Sequence, residues 1–306
     1  MDGLIVVDKP RGPTSHDVVA RIRRLLGNAK TGHCGTLDPE ATGVLLIAVG
    51  RAARLFPFLS GHDKSYAATV RFGFATDTYD ASGRPTIPES SDLPAEGALR
   101  EAMRRFEGRI LQAPPAYSAI KRDGQPLYKM ARANREVAVE PREVVVRRFE
   151  LISWAPPLAV VDIACSAGTY VRSLAHDLGH ALGCGAHLAS LRRTASGPFR
   201  LADARPLDTV ESMILSGERD RFLLPMEGLL PELPALILRP EGAERARHGN
   251  RILPEHVLPP PGETTDETPR KDGAVFRLFG GDGRLLALAR RSVEGEGLSP
   301  FLVLVD

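Results

Sequence analysis

Hydrophobic and polar positions follow several distinct rhythms along this 306-residue chain. Residues 3–7, GLIVV, form a short apolar run that stops at Asp8-Lys9-Pro10, the pattern of a strand entering a turn. After Thr14-Ser15, a pair suited to an N-cap, Val18, Val19, Ile22, Leu25 and Leu26 recur at helical spacing. Arg21, Arg23 and Arg24 fall on other faces, and Gly27 is placed to end the helix. VLLIAV (44–49) is apolar throughout between Gly43 and Gly50, as a strand buried on both faces must be. Further strands are predicted at 64–72, 144–154 and 158–165, helices at 95–107 and 169–183, and a loop at 76–85 from its Asp, Ser, Gly and Pro content. Past the proline-spaced LLPMEGLLPELP (223–234), the pattern predicts a strand at 235–238, a helix at 241–248, a polar loop at 253–273, a hairpin joining 274–279 to 284–290 through GGDG, and a last strand at 301–305. Strands and helices do not alternate as in a doubly wound parallel sheet. The expected fold class is therefore α+β, a mixed and largely antiparallel sheet flanked by helices, with domains at 1–232 and 233–306, the second small and β-rich.

Composition changes this picture little. The chain is 43% hydrophobic and 25% charged, as an ordinary globular protein is. No apolar run approaches the roughly 20 residues that cross a bilayer, and the first ten residues carry an acid where a signal peptide needs basic residues. A cytoplasmic location without membrane attachment is expected. Cys34, Cys165 and Cys184 are too few for a disulfide framework and form no C-x-x-C pair, so they are expected as inert thiols. A net charge of +2 is too mild to announce nucleic-acid binding. Its distribution is more informative, because residues 104–148 hold eleven Lys and Arg against five Asp and Glu. This stretch bears tyrosines and prolines, and it reads as a basic excursion from the main sheet or as a solvated surface.

The chemistry concentrates in GHCGTLDPEATGVL (32–45). Asp38 precedes Pro39, which restricts its backbone, and glycines flank the stretch on both sides. Local sequence allows two readings. Asp38 could cap a helix opening at Pro39, although Gly43 leaves little room for one. Alternatively it is a rigidly mounted carboxylate with no second acid at a paired spacing, which suits a nucleophilic or electrostatic role better than an acid–base pair. HDLGH (176–180) imitates a zinc-peptidase helix, but its acid is Asp177 and Gly179 weakens the helix. Ser15-His16-Asp17 spells a triad, yet consecutive residues cannot face one another as a triad requires.

The stretch 32–55 is similar to the signature G-H-x-G-x-L-D-P-x-A-x-G-V-L of the TruB family of pseudouridine synthases. Five other blocks, at 6–19, 64–83, 114–132, 166–179 and 185–199, resemble that family in order, with Ala53 and Arg54 departing from its usual threonine and lysine. The last 70 residues resemble a PUA RNA-binding module in length and strand pattern. The resemblance implies isomerisation of uridine 55 in the T loop of tRNA to pseudouridine, with no cofactor or metal. It implies Asp38 as the nucleophile, acting at C1′, at C6 or through a glycal, with Arg172 as its counter-charge and Tyr170 assisting proton movement at C5. Tyr66 would stack on the uracil, Leu191 would line the pocket, and His33 would fill the gap left by the flipped base. Lys9, Arg192 and Arg193 are candidates for phosphate contact. The basic stretch matches the family's mobile insertion and is expected to be poorly ordered without RNA. Partners implied are the tRNA T arm and no obligate protein, with the chain a monomer. The competing expectations are a non-catalytic RNA-binding protein or tRNA chaperone, and a guide-RNA-dependent, dyskerin-like synthase.

Overall fold

The computed structural model describes residues 1–115, 117, 121–122, 125–126, 140–259, 273–292 and 297–305. In chain order its elements begin with β1 (Gly3–Lys9), α1 (Ser15–Leu25), β2 (Thr31–His33), β3 (Thr42–Val49), α2 (Phe56–Gly61), β4 (Lys64–Phe72), α3 (Glu96–Arg104) and β5 (Gly108–Gln112). They continue with β6 (Arg142–Ala155), β7 (Leu158–Cys165), α4 (Val171–Ala181), β8 (Ala186–Ser196), β9 (Phe199–Arg200), β10 (Arg205–Pro206), α5 (Leu207–Leu215) and α6 (Arg219–Phe222). The last part holds β11 (Ala235–Ile237), α7 (Pro240–Arg247), β12 (Val275–Phe279), β13 (Leu285–Arg291) and β14 (Leu298–Val303). The middle of the basic excursion, residues 118–139 apart from two short pairs, lies outside the described residues, and so does the expectation about its order.

The fold is α+β. A ten-stranded sheet runs β10-β1-β3-β8-β4-β7-β6-β5, with β2 beside β3 and β9 beside β8. Only β1/β10 and β3/β8 pair in parallel; the other ladders are antiparallel. Strand periodicity explains why two of these strands read as unbroken apolar runs. In β1, Ile5 and Val7 belong to one core, while Leu4 and Val6 belong to another on the opposite face. In β3, Leu45, Ile47 and Val49 alternate in the same way with Val44, Leu46 and Ala48. A strand covered on both sides has no face left for polar residues. The first core takes Val18 and Ile22 of α1, Leu99 of α3, Leu174 and Leu178 of α4 and Val210 of α5. Helix α1 starts where the sequence placed its cap, with a capping box between Thr14 and Asp17.

A second sheet, β11-β12-β13-β14, carries helix α7 and makes up the β-rich C-terminal part. Its Leu285, Leu288 and Leu304 share the second core with Leu4, Leu46 and Leu230. Several boundaries differ from expectation by a few residues, two of them for a definite reason. Helix α4 starts at Val171, not Thr169, because Tyr170 is extended at φ −97° and ψ 108°. The last strand begins at Leu298, three residues early; Pro300 is tolerated there because β14 is an edge strand with a register shift opposite it.

Candidate active site

Asp38 lies in the loop between β2 and β3, and no helix opens at Pro39. Ala41 N–H donates to the Asp38 carbonyl at 3.1 Å, closing a turn over Pro39-Glu40 that passes directly into β3. The capping alternative is thereby excluded, and the Asp38 carboxylate is directed elsewhere. The loop is held from several sides. Ser15 Oγ donates to the Leu37 carbonyl at 3.0 Å and accepts Leu37 N–H at 2.8 Å. Gly43, at φ +100°, lets β3 run against β8, since a Cβ there would sit 2.2 Å from the Arg193 carbonyl oxygen.

Lys9 and Arg193 require a correction as phosphate contacts. Lys9 is 0% exposed, and its ammonium donates to the carbonyls of Pro10 (2.8 Å), Pro39 (3.2 Å) and Ala41 (2.8 Å). Burial pushes its pKa down to about 8, against the opposing pull of nearby Asp38 and Glu40. Arg193 is buried as well and donates to the carbonyls of Gly35 (3.3 Å), Thr36 (2.7 Å) and Val44 (3.2 Å). Backbone oxygens of the Asp38 loop thus occupy donors that an RNA phosphate would need. Arg192 behaves differently: it is half-exposed and pairs with Asp8 at 2.7 Å and with the Thr42 hydroxyl at 3.3 Å.

Asp38 meets Arg172 from the first turn of α4. Nε lies 3.0 Å from Oδ2 and Nη2 lies 3.3 Å from Oδ1, a two-point contact. The Arg172 side chain is 7% exposed and that of Asp38 41%, so the pair is anchored inside and open on its acidic side. The remaining guanidinium donors go to the Thr78 carbonyl (3.2 Å) and the Tyr117 carbonyl (3.1 Å), with Asp80 Oδ2 at 3.6 Å. Asp80 is itself fixed by Thr78 Oγ1 (2.7 Å) and Ser82 N–H (3.0 Å). Sequence reasoning did not single out Asp80. It stood in a block already read as loop, and nothing local marks it as a partner for an arginine about ninety residues on.

Two cavities meet at this pair. One of about 250 Å³ is lined by Leu37, Lys64, Tyr66, Tyr170 and Val171. Another of about 320 Å³ is lined by Arg11, Glu40, Asp80, Ser82 and Leu188. Asp38, Arg172 and Leu191 border both. A larger cavity of about 500 Å³ lies beside β9 and α6, but the convergent acid, guanidinium and aromatics are elsewhere. Size alone therefore does not mark the site. Tyr66 is buried across the ladder from Arg193, whose guanidinium lies 5.6 Å from the ring centroid and whose Nε reaches the hydroxyl at 3.4 Å. Burial raises its phenol pKa, so the ring stays neutral. Lys64, also missed from sequence, is buried at the cavity wall; burial pushes its pKa down to about 8, with Arg193 adding to the shift. His33 is in β2, half-buried and 4.9 Å edge-on from His16. Burial first, then His16 and Arg193, pushes its pKa down to about 4 and leaves a neutral, flat ring. His176 of the zinc-like motif is stacked on Tyr79 at 3.7 Å, and among the described residues no three His, Cys, Asp or Glu cluster as metal ligands do.

An acid gripped by a guanidinium where two cavities meet, one of them lined by Tyr66 and Tyr170, on a largely antiparallel sheet, fits the pseudouridine-synthase class. Solved structures agree. The chain superposes with a TM-score of 0.75 on a chain of an H/ACA RNP bound to a substrate RNA containing 2′-deoxyuridine, at 26% identity over 99% of this chain and 85% of that one. It matches a chain of a Cbf5-Nop10-Gar1 complex equally well, at 28% identity over the same shares. Family models match residues 23–171 as the N-terminal domain of TruB family pseudouridylate synthase and residues 172–231 as the tRNA pseudouridylate synthase B C-terminal domain. Among curated relatives, tRNA pseudouridine synthase B of Geobacter sulfurreducens is 47% identical over 81% of this chain and 82% of that protein. The namesake of Burkholderia mallei is 42% identical over 95% of this chain and 94% of its own length. The chain belongs to the TruB family of pseudouridylate synthases.

Proposed function

We propose that this tRNA pseudouridine synthase isomerises uridine 55 of the tRNA T loop, with the base flipped out of the loop and Asp38 as nucleophile. The observation that carries the reading is the two-point Asp38–Arg172 pair on the shared rim of two cavities. The reaction breaks the N1–C1′ bond, turns the uracil and forms a C5–C1′ bond. The proton lost from C5 is balanced by one gained at N1, and the uracil released from C1′ is the group that rejoins it, so no oxidant or reductant is needed and nothing is lost from the substrate. An anionic nucleophile under a closing RNA needs a counter-charge already in place, which Arg172 provides. Tyr66 offers an apolar face for the flipped base, Tyr170 a phenol for the C5 proton, and Leu191 an apolar wall. Flipping costs a few kcal/mol of unstacking, which a neutral His33 ring in the vacated place offsets.

Arg192 is the phosphate-contact candidate that remains at the surface. Residues 1–232 are taken as the catalytic domain, with the basic insertion, and 233–306 as a PUA-like RNA-binding domain. The enzyme is taken to work in the cytoplasm as a monomer with no obligate protein partner. Likeness to H/ACA chains gives the guide-RNA reading a specific basis, and activity on a bare tRNA transcript would decide against it. The central test is Asp38→Ala: pseudouridine at position 55, mapped by primer extension, should vanish while tRNA binding persists. Product formation at the parent's rate would overturn the assignment.

A further inference from the structure

Gln112 ends β5 and is 2% exposed, and its side-chain amide engages Tyr170 at both of its ends. Oε1 accepts Tyr170 N–H at 2.7 Å, and Nε2 donates to the Tyr170 carbonyl at 3.0 Å. One peptide pairs with another in this way across an antiparallel ladder; here a side chain takes the partner's place. Both peptide planes flanking Tyr170 are fixed, which sets its φ of −97° and ψ of 108° and so the direction of its Cα–Cβ bond. The adjoining turn is tied to the same stretch. Ser173 Oγ donates to the Ala113 carbonyl at 3.0 Å, and Arg172 Nη2 donates to the Tyr117 carbonyl at 3.1 Å. Packing alone would be met by a leucine or methionine. A buried amide with donor and acceptor both spent on one backbone unit does more, because it specifies one orientation. Tyr170 stands between the cavity that Asp38 borders and a second one of about 250 Å³, of which Gln112 is a wall.

We propose that Gln112 is a positioning residue for pseudouridine formation, holding the Tyr170 phenol and, through the same helical turn, Arg172 in register with Asp38. The inference rests on the role given to Tyr170 above. Gln112→Met in the full-length protein keeps the side chain's size and deletes both bonds. Gln112→Glu keeps the acceptor and sets a carboxylate oxygen against the Tyr170 carbonyl; it is the variant to read should the methionine form not fold. The expected result is a roughly 10- to 100-fold loss of kcat on a tRNA transcript, as small misplacements at a reacting centre give, with KM changed by about twofold or less. Amide exchange at Tyr170 should accelerate. Combining Gln112→Met with Tyr170→Phe should cost little more than the worse single change, because both remove the same aligned phenol. Multiplicative losses, or an unchanged kcat in Gln112→Met, would overturn the positioning role. If Tyr170→Phe alone leaves kcat intact, the failure belongs to the phenol's assignment and the proposal built on it falls as well.

Discussion

His33 shows how one half-buried ring ties stability to pH. The unfolded chain takes up a proton on an ordinary histidine near pH 6.5, whereas in the fold burial holds this imidazole neutral down to about 4. Between those values the unfolded state binds more protons. Stability from this group is therefore complete above pH 6.5 and is lost as the pH falls towards 4. His33→Phe keeps a flat face and removes the titration. Its unfolding midpoint should fall less steeply between pH 6.5 and 4 than the parent's; parallel curves would show that the ring does not titrate as a buried group. Lys9 has the same direction of shift, but its surroundings assign it a different task. Its three carbonyl partners make it a fastener of the Asp38 turn, and a lysine's type gives no hint of whether its ammonium meets water, RNA or backbone.

Strand β3 and the loop before it set the tolerance of the site to small changes. Gly43 is opposite Arg193 in the short parallel pairing of β3 with β8, where the left-handed backbone and the 2.2 Å approach leave no space for a methyl group. Gly43→Ala should destabilise the protein by roughly 3 kcal/mol, from backbone strain and overpacking together, read as a lower urea midpoint at unchanged m-value. Activity per folded molecule should fall too, since β8 also carries Leu191 and the Arg193 clamp on the loop. An Ala variant with the parent's stability would mean that the two strands part without cost. The elements around this point were legible in sequence because their rhythm was dictated by burial. β1 and β3 are apolar on both faces, β4 lies at 64–72 as its pattern predicts, and α1 carries its cap in its own residues. Helices α5 and α6 and the two-residue strands β9 and β10 were not read. Each is short, and its place is fixed by the sheet it packs on, not by a local signal. Of the candidate site, the residues that a motif carries, Asp38, Tyr66, Tyr170 and Arg172, are brought together at one cavity. The second carboxylate Asp80 and the amide of Gln112 act through contacts between segments distant in sequence, which no spacing records.

The two sheets share one core, and this bears on how the whole chain unfolds. Leu285, Leu288 and Leu304 from the C-terminal sheet are buried together with Leu4, Val6 and Leu46 of the large one. The seam carries oriented contacts as well. Arg277 donates to the Leu233 carbonyl at 2.9 Å and to that of Leu229 at 3.4 Å, Arg54 reaches the Val303 carbonyl, and the rings of Phe58 and Phe301 lie 6.2 Å apart. The C-terminal part is thus a wall of the catalytic sheet's second core, not an appendage on a linker. Removing it would expose the outward side of β1 and β3, the second of which receives the Asp38 loop. One cooperative transition is therefore expected, with calorimetric and van't Hoff enthalpies equal. Leu288→Ala should lower stability by about 2–5 kcal/mol, the usual cost of emptying a leucine site in a packed core, and should shift the melting of both parts together. Pseudouridine formation at a temperature between the two midpoints should be lost in the variant and kept in the parent. If instead the C-terminal sheet melts alone while pseudouridine formation continues, the two sheets are energetically separate and the coupling argued from their shared core is absent.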